Sequence, residues 1–173
     1  MSKTILNYIL IYIARVIAQV VLFNNLVLFH SAIALVFLYL LVELPQALTP
    51  NRLMTIGFAL GLTIDIFQDT PGLNALTCTL VAALRPKIFH LYVPHDEDYG
   101  TRRLTARTLG TSTYLKYMMT MVLIYCVIYF CVEALNYADV NRLALRIVAS
   151  TAFTFIVLFA LDSLTIKKNE KRL

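Results

Sequence analysis

Ten carboxylates, three histidines and three cysteines are the side chains of this 173-residue chain best suited to acid–base, nucleophilic or metal chemistry. Their spacing supports none of these. His30, His90 and His95 lack a second ligand at the interval of a zinc-binding helix. Cys78, Cys126 and Cys131 are odd in number, sit in apolar runs and read as small buried hydrophobes rather than ligands. Asp96, Glu97 and Asp98 precede Arg102 and Arg103; they can hold a cation or a partner loop, or form a solvated segment that neutralises itself. There is no serine elbow, no H-E-x-x-H, no phosphate-cradling glycine loop and no membrane-facing pair of acids. Catalysis needs a nucleophile, a base and an orienting group in mutual reach. The expectation is therefore a non-enzymatic chain without cofactor or metal. Two charges remain conspicuous, Arg15 and Asp65, because each lies deep in an apolar run.

Those runs define the elements. The chain is 60% hydrophobic, 14% charged and has a mean hydropathy of +0.75, against about 45–50% apolar and about 25% charged in a soluble domain. An ordinary water-soluble globule is excluded. Runs at 5–23, 26–44, 53–67, 73–93, 114–135 and 143–164 predict an all-α polytopic membrane protein of six transmembrane helices in a single integral domain, since a span takes about 20 residues. The first run is of spanning length, contains Arg15 and continues into Asn24-Asn25 without a small-residue cleavage site, so it reads as a retained span rather than a signal peptide. Asn24-Asn25, the stretch from Pro45 to Pro50, and Gln68 to Gly72 supply the turns. The third and fourth runs are short enough for a re-entrant hairpin, but two full spans are preferred: Arg85 and Lys87 can snorkel to the interface and Pro86 is tolerated among packed helices.

Positive charge then sets the direction, because Lys and Arg gather on the cytoplasmic side. With both termini inside, twelve of the fifteen basic residues are cytoplasmic, Arg142 and Arg146 lie outside, and Arg15 lies within a span. The net charge of +5 is thus a topology signal. It is no nucleic-acid signal, since no soluble module carries a basic face with aromatic platforms; the tail can touch anionic membrane lipid.

A charge at the bilayer centre costs about 2.5–3.5 kcal/mol on insertion scales. Glu43, Glu133 and Asp162 escape this by lying near span ends and are expected at the interface. Arg15 and Asp65 sit ten and twelve residues into their spans, roughly 15 and 18 Å from the cytoplasmic side at 1.5 Å per residue. The matching depths predict that they pair inside the bundle; the alternative is that Arg15 snorkels inward and Asp65 reaches the outer interface. Gly57, Gly61 and Asp65 share one helix face at i, i+4, i+8, so the third span can approach another helix closely before the Pro71-Gly72 turn. Tyr125 and Tyr129, also one turn apart, read as a packing stripe. The halves of the chain show no convincing repeat.

The run Gly57-Phe58-Ala59-Leu60-Gly61-Leu62-Thr63-Ile64-Asp65-Ile66-Phe67, followed by Pro71-Gly72-Leu73-Asn74-Ala75, resembles the G-F-x-x-G-L-x-x-D-x-F…G-x-x-A signature of the rod shape-determining protein MreD family. Gln19 to Phe23 leading into Leu28-Phe29 fits the same family, as do the length and the six spans. The resemblance covers about 60 residues in motif, from Gln19 to Leu76 with gaps. It implies a fold similar to the substrate-binding S-component of energy-coupling-factor transporters, residence in the bacterial inner membrane, and a non-enzymatic place in the cell-elongation machinery. The implied partner is MreC, with indirect links to MreB, RodA and the transpeptidase partner of RodA; a homodimer is compatible with it. The rival is a vitamin-binding transporter subunit, for which Ala14 and Ala18 have the docking spacing. Arg15 between them and the missing outer ligand pocket count against transport. For the span of MreC, the small residues Ala149, Ser150, Ala152 and Thr154 of the sixth run form a candidate face, weighed against internal packing.

Overall fold

A computed structural model describes residues 35–94, 104–134 and 140–170, which form helices joined by turns with no strand among them. The elements are α1 (Leu38–Glu43), α2 (Pro50–Gln68), α3 (Leu73–Tyr92), α4 (Ala106–Leu109), α5 (Thr111–Glu133) and α6 (Val140–Glu170). Each boundary has a local cause. Pro50 opens α2 after an extended Thr49, where a missing amide hydrogen costs nothing and the fixed φ suits a helix. Asp69, at φ 53°, closes α2 by donating its amide to the Asp65 carbonyl, as left-handed caps do. Thr70 to Leu73 form a tight turn with Pro71 and Gly72 at its centre: the Leu73 amide donates to the Thr70 carbonyl at 3.4 Å and Gly72 has φ 81°. That is a type II turn, which needs positive φ at its third residue.

An alanine Cβ at Gly72 would meet nothing within 4 Å, so Gly72→Ala carries only the left-handed backbone penalty, about 1–2 kcal/mol. Thermal unfolding in detergent should register that loss without any change in helix content.

Packing runs through α3 and α5. The most extensive pairing is α2 with α3, followed by α3 with α5 and α5 with α6, while α1 and α4 lie against α5. The core holds Leu53, Leu60 and Ile64 of α2, Val81 and Phe89 of α3, and Tyr117, Met121 and Tyr125 of α5. Tyr125 stacks on Tyr129, and Phe37 meets its ring edge-on. Outside, the helices remain apolar: Ile66 is 73% exposed, Leu91 71% and Val148 68%. Inside, Glu43, Asp65, Asn74, Arg85, Thr154 and Asp162 are buried.

Several expectations change. Thr111–Glu133 and Leu143–Ser163 are the two helices, among the described residues, long and apolar enough to cross a membrane. The helices α2 and α3, of 19 and 20 residues, are long enough but less apolar, because polar and charged residues interrupt them. The run predicted as a continuous span at 26–44 is helical, within its described part, only from Leu38. Leu35 to Phe37 form a turn, and the Leu35 amide donates to Thr154 Oγ1 at 3.2 Å. The predicted long loop at 94–113 includes the single turn α4, where the Thr105 amide donates to Thr108 Oγ1 at 2.9 Å. The last helix runs past 164 to Glu170 because its Lys-rich end favours helix, and cations suit a helix C-terminus.

Candidate functional site

The glycine–aspartate stripe of α2 faces α3. A Cβ built on Gly57 would stand 2.8 Å from the Cys78 carbonyl oxygen, and one on Gly61 would stand 2.5 Å from Ala75 Cα. Both glycines therefore admit the α3 backbone where any side chain would hold it off. One turn further, Asp65 meets the start of α3 rather than its flank. Its Oδ1 accepts from the Thr70 hydroxyl (2.8 Å), the Asn74 amide (2.9 Å) and Asn74 Nδ2 (3.0 Å), and its Oδ2 accepts from the Ala75 amide (2.8 Å).

Gly72 occupies the N-cap of α3 and has no side chain to cap it. Asp65 supplies the missing acceptor from the neighbouring helix. A carboxylate at this position satisfies two of the orphan amides and opposes the positive end of the helix dipole. Asn74 extends the network, donating to Gln68 Oε1 and Thr70 Oγ1 (both 3.1 Å) and accepting from the Tyr125 hydroxyl at 2.7 Å. Helices α2, α3 and α5 are thereby joined at one point. Tyr125→Phe leaves Asn74 Oδ1 without that donor and should cost about 1 kcal/mol, checked by the unfolding midpoint; Tyr129→Phe, which keeps the ring stacked on Tyr125 and removes a hydroxyl outside these hydrogen bonds, is the control.

A second polar cluster lies where α1 ends, three turns along α3 from Asn74. Arg85 is fully buried and donates from Nη2 to the Leu44 carbonyl. This corrects the expectation that it snorkels outward: the last carbonyls of α1 need donors, and the guanidinium turns inward to provide one. Glu43 and Asp162, expected at the interface, are each only 5% exposed. Asp162 Oδ1 accepts from the Tyr39 hydroxyl at 2.9 Å, and the Leu104 amide donates to the Glu43 carbonyl at 3.2 Å. Glu133 is half-buried and accepts from Arg146 at 3.0 Å; the same guanidinium lies over the Phe130 ring.

The remaining candidates divide. Pro71 and Gly72 sit in the turn beside Asp65, whereas Arg15, Ala14 and Ala18, His30 and His95, Asp96 to Asp98, and Arg102 and Arg103 lie outside the described residues. Ala149, Ser150, Ala152 and Thr154 do not form one face. Ser150 and Thr154, one turn apart, are fully buried, while Ala152 is exposed and Ala149 half-buried. The proposed partner face on α6 is corrected accordingly: its hydroxyls are turned into the bundle, where Thr154 accepts from the Leu35 amide. His90 is exposed beside Gln46, and no metal-holding group of His, Cys, Asp and Glu occurs among the described residues.

Sequence reasoning missed Asn74, Thr70 and Tyr125 because it treated charges as the expensive groups. An amide in an apolar run, nine residues after Asp65 and two after a glycine, carries a similar signal. The arrangement defines an all-helical protein with two helices fit to cross a membrane and its polar groups turned inward. Comparison with family models, curated proteins and solved structures gives no match.

Proposed function

We propose that this chain is a multi-pass inner-membrane protein of the MreD type, with six spans and both termini in the cytoplasm, which binds MreC and contributes to rod-shape determination and the regulation of peptidoglycan synthesis. The observation that carries the membrane part is the inverted distribution of polarity. Buried Arg85, Asp65 and Asn74 inside, with exposed Ile66, Leu91 and Val148 outside, suit a lipid surround, where apolar faces need no cover and polar groups must be satisfied within the protein.

The family part rests on the motif from Gly57 to Ala75. Its fixed positions have coherent jobs in one unit, two glycines for approach, an aspartate for capping and a Pro-Gly turn to return the chain. A component of this kind acts by holding partner helices, and helices in lipid associate through close packing. The surface that receives MreC must lie on an outward face and so excludes Ser150 and Thr154.

Affinity purification from mild detergent tests the reading. Co-purified MreC and spherical cells on depletion support it. A bound vitamin, or an energising ATPase module in place of MreC, overturns it in favour of the transporter subunit. Reporter fusions at 70, 95 and 138 test the topology, with only the second expected in the cytoplasm.

A further inference from the structure

We propose that Arg85 and Tyr117 form a buried receptor for an oxyanion, a phosphate group borne by a lipid headgroup or free in solution, between α3 and α5. Arg85 is fully buried, yet its Nε and Nη1 meet no acceptor at good hydrogen-bonding geometry, and the buried Tyr117 hydroxyl, which lies against the guanidinium, has no other partner among the described residues. The Arg85 charge reaches that hydroxyl. Its bond to the Leu44 carbonyl is to a neutral group.

A lysine in this position can shed its proton to escape the cost of burial, but a guanidinium stays charged. An uncompensated buried charge costs several kcal/mol, and unpaired buried polar groups mark a place where an ion or water belongs. All the idle nitrogens are donors. A water molecule would offer acceptors without charge, whereas an oxyanion supplies both.

Position favours a headgroup as the source. Arg85 lies seven residues before the end of α3 at Tyr92, roughly 10 Å at 1.5 Å per residue, within reach of the headgroup region. The donors are sealed from solvent, so binding requires the chain packed around them to yield. The lipid source rests on the multi-span reading above; the oxyanion chemistry does not.

The test uses the full-length protein with two probes. Inorganic phosphate is titrated in neutral detergent against chloride, and phosphatidylglycerol is titrated in phosphatidylcholine nanodiscs. The unfolding temperature and the adducts retained in native mass spectrometry are read. Saturable stabilisation by phosphatidylglycerol alone identifies a lipid headgroup, and stabilisation by inorganic phosphate identifies the free anion; either supports the receptor. Arg85→Met should weaken the effective probe at least about tenfold, the size of one lost charge-assisted hydrogen bond. Tyr117→Phe, which keeps the ring and its packing, should weaken it roughly threefold to tenfold and decides the matter if the Arg85 variant does not fold. No stabilisation by either probe, or unchanged affinity in the variant that folds, overturns the receptor. Carbonate extraction of the same membranes tests the multi-span reading independently.

Discussion

Asp65→Leu should lower the stability of the folded protein by about 3 kcal/mol, a shift of roughly two orders of magnitude in the folding equilibrium. The substitution removes the acceptor for four hydrogen bonds, from Thr70, Ala75 and both nitrogens of Asn74. Polar contacts within membrane bundles contribute on average about 0.6 kcal/mol and at most about 1.7 kcal/mol; bonds to a charged acceptor belong at the upper end of the range. Two of the four donors are the backbone amides at the start of α3, which lose their cap. Reversible unfolding in mixed micelles measures the loss, and unchanged stability would remove the cap from the determinants of this fold. Asp65→Asn should fall between the two, because one oxygen can still accept while its amide nitrogen faces the Ala75 amide donor.

The same measurement separates capping from ion pairing. Arg15→Ala combined with Asp65→Leu forms a double-mutant cycle. Additive losses leave Asp65 to its cap, while coupling above roughly 1 kcal/mol assigns it an additional partner in Arg15.

Much of the α2–α3 unit was legible in the sequence because its chemistry is local. Four-residue spacing puts Gly57, Gly61 and Asp65 on one face, and Pro71-Gly72 specifies a turn whatever surrounds it. What spacing does not specify is the surface that a face meets. In a soluble helix the apolar stripe points to the core, but here Ile66 outside and Ile64 inside are equally apolar, so hydropathy marks no inner face. That is why Ser150 and Thr154 read equally well as a partner surface and as interior, and why Arg85 could be sent to the interface when it turns inward to Leu44. Asp65 illustrates the same limit. Its depth demanded a partner, and sequence offered the other deep charge, Arg15. The structure shows backbone amides and short polar side chains within ten residues of it, donors that no composition or charge count reveals.

Gly61→Ala is the second large effect, and its sign is diagnostic. In an exposed helix interior, alanine is about 0.8–1.0 kcal/mol more favourable than glycine, so a glycine retained only for flexibility would be improved by the change. Here the added methyl would lie 2.5 Å from Ala75 Cα and 2.5 Å from the Asn74 carbonyl carbon. Backbone cannot rotate away, so α3 must move off α2, carrying the Asn74 and Ala75 amides away from Asp65. Overpacking of this kind costs about 1–3 kcal/mol, occasionally more, and the disturbed cap adds to it; a net loss of about 3 kcal/mol is expected in the micelle unfolding assay. Gly57→Ala should lose less, because one of its close contacts, at 2.9 Å, is the Ala82 Cβ, which a second substitution can delete. Ala82→Gly should therefore partly rescue Gly57→Ala, the Cys78 carbonyl contact remaining, while Ala75→Gly should not rescue Gly61→Ala, whose contacts are to atoms that every residue possesses. Rescue of both, or stabilisation by either alanine alone, would mean that the helices do not meet along this stripe.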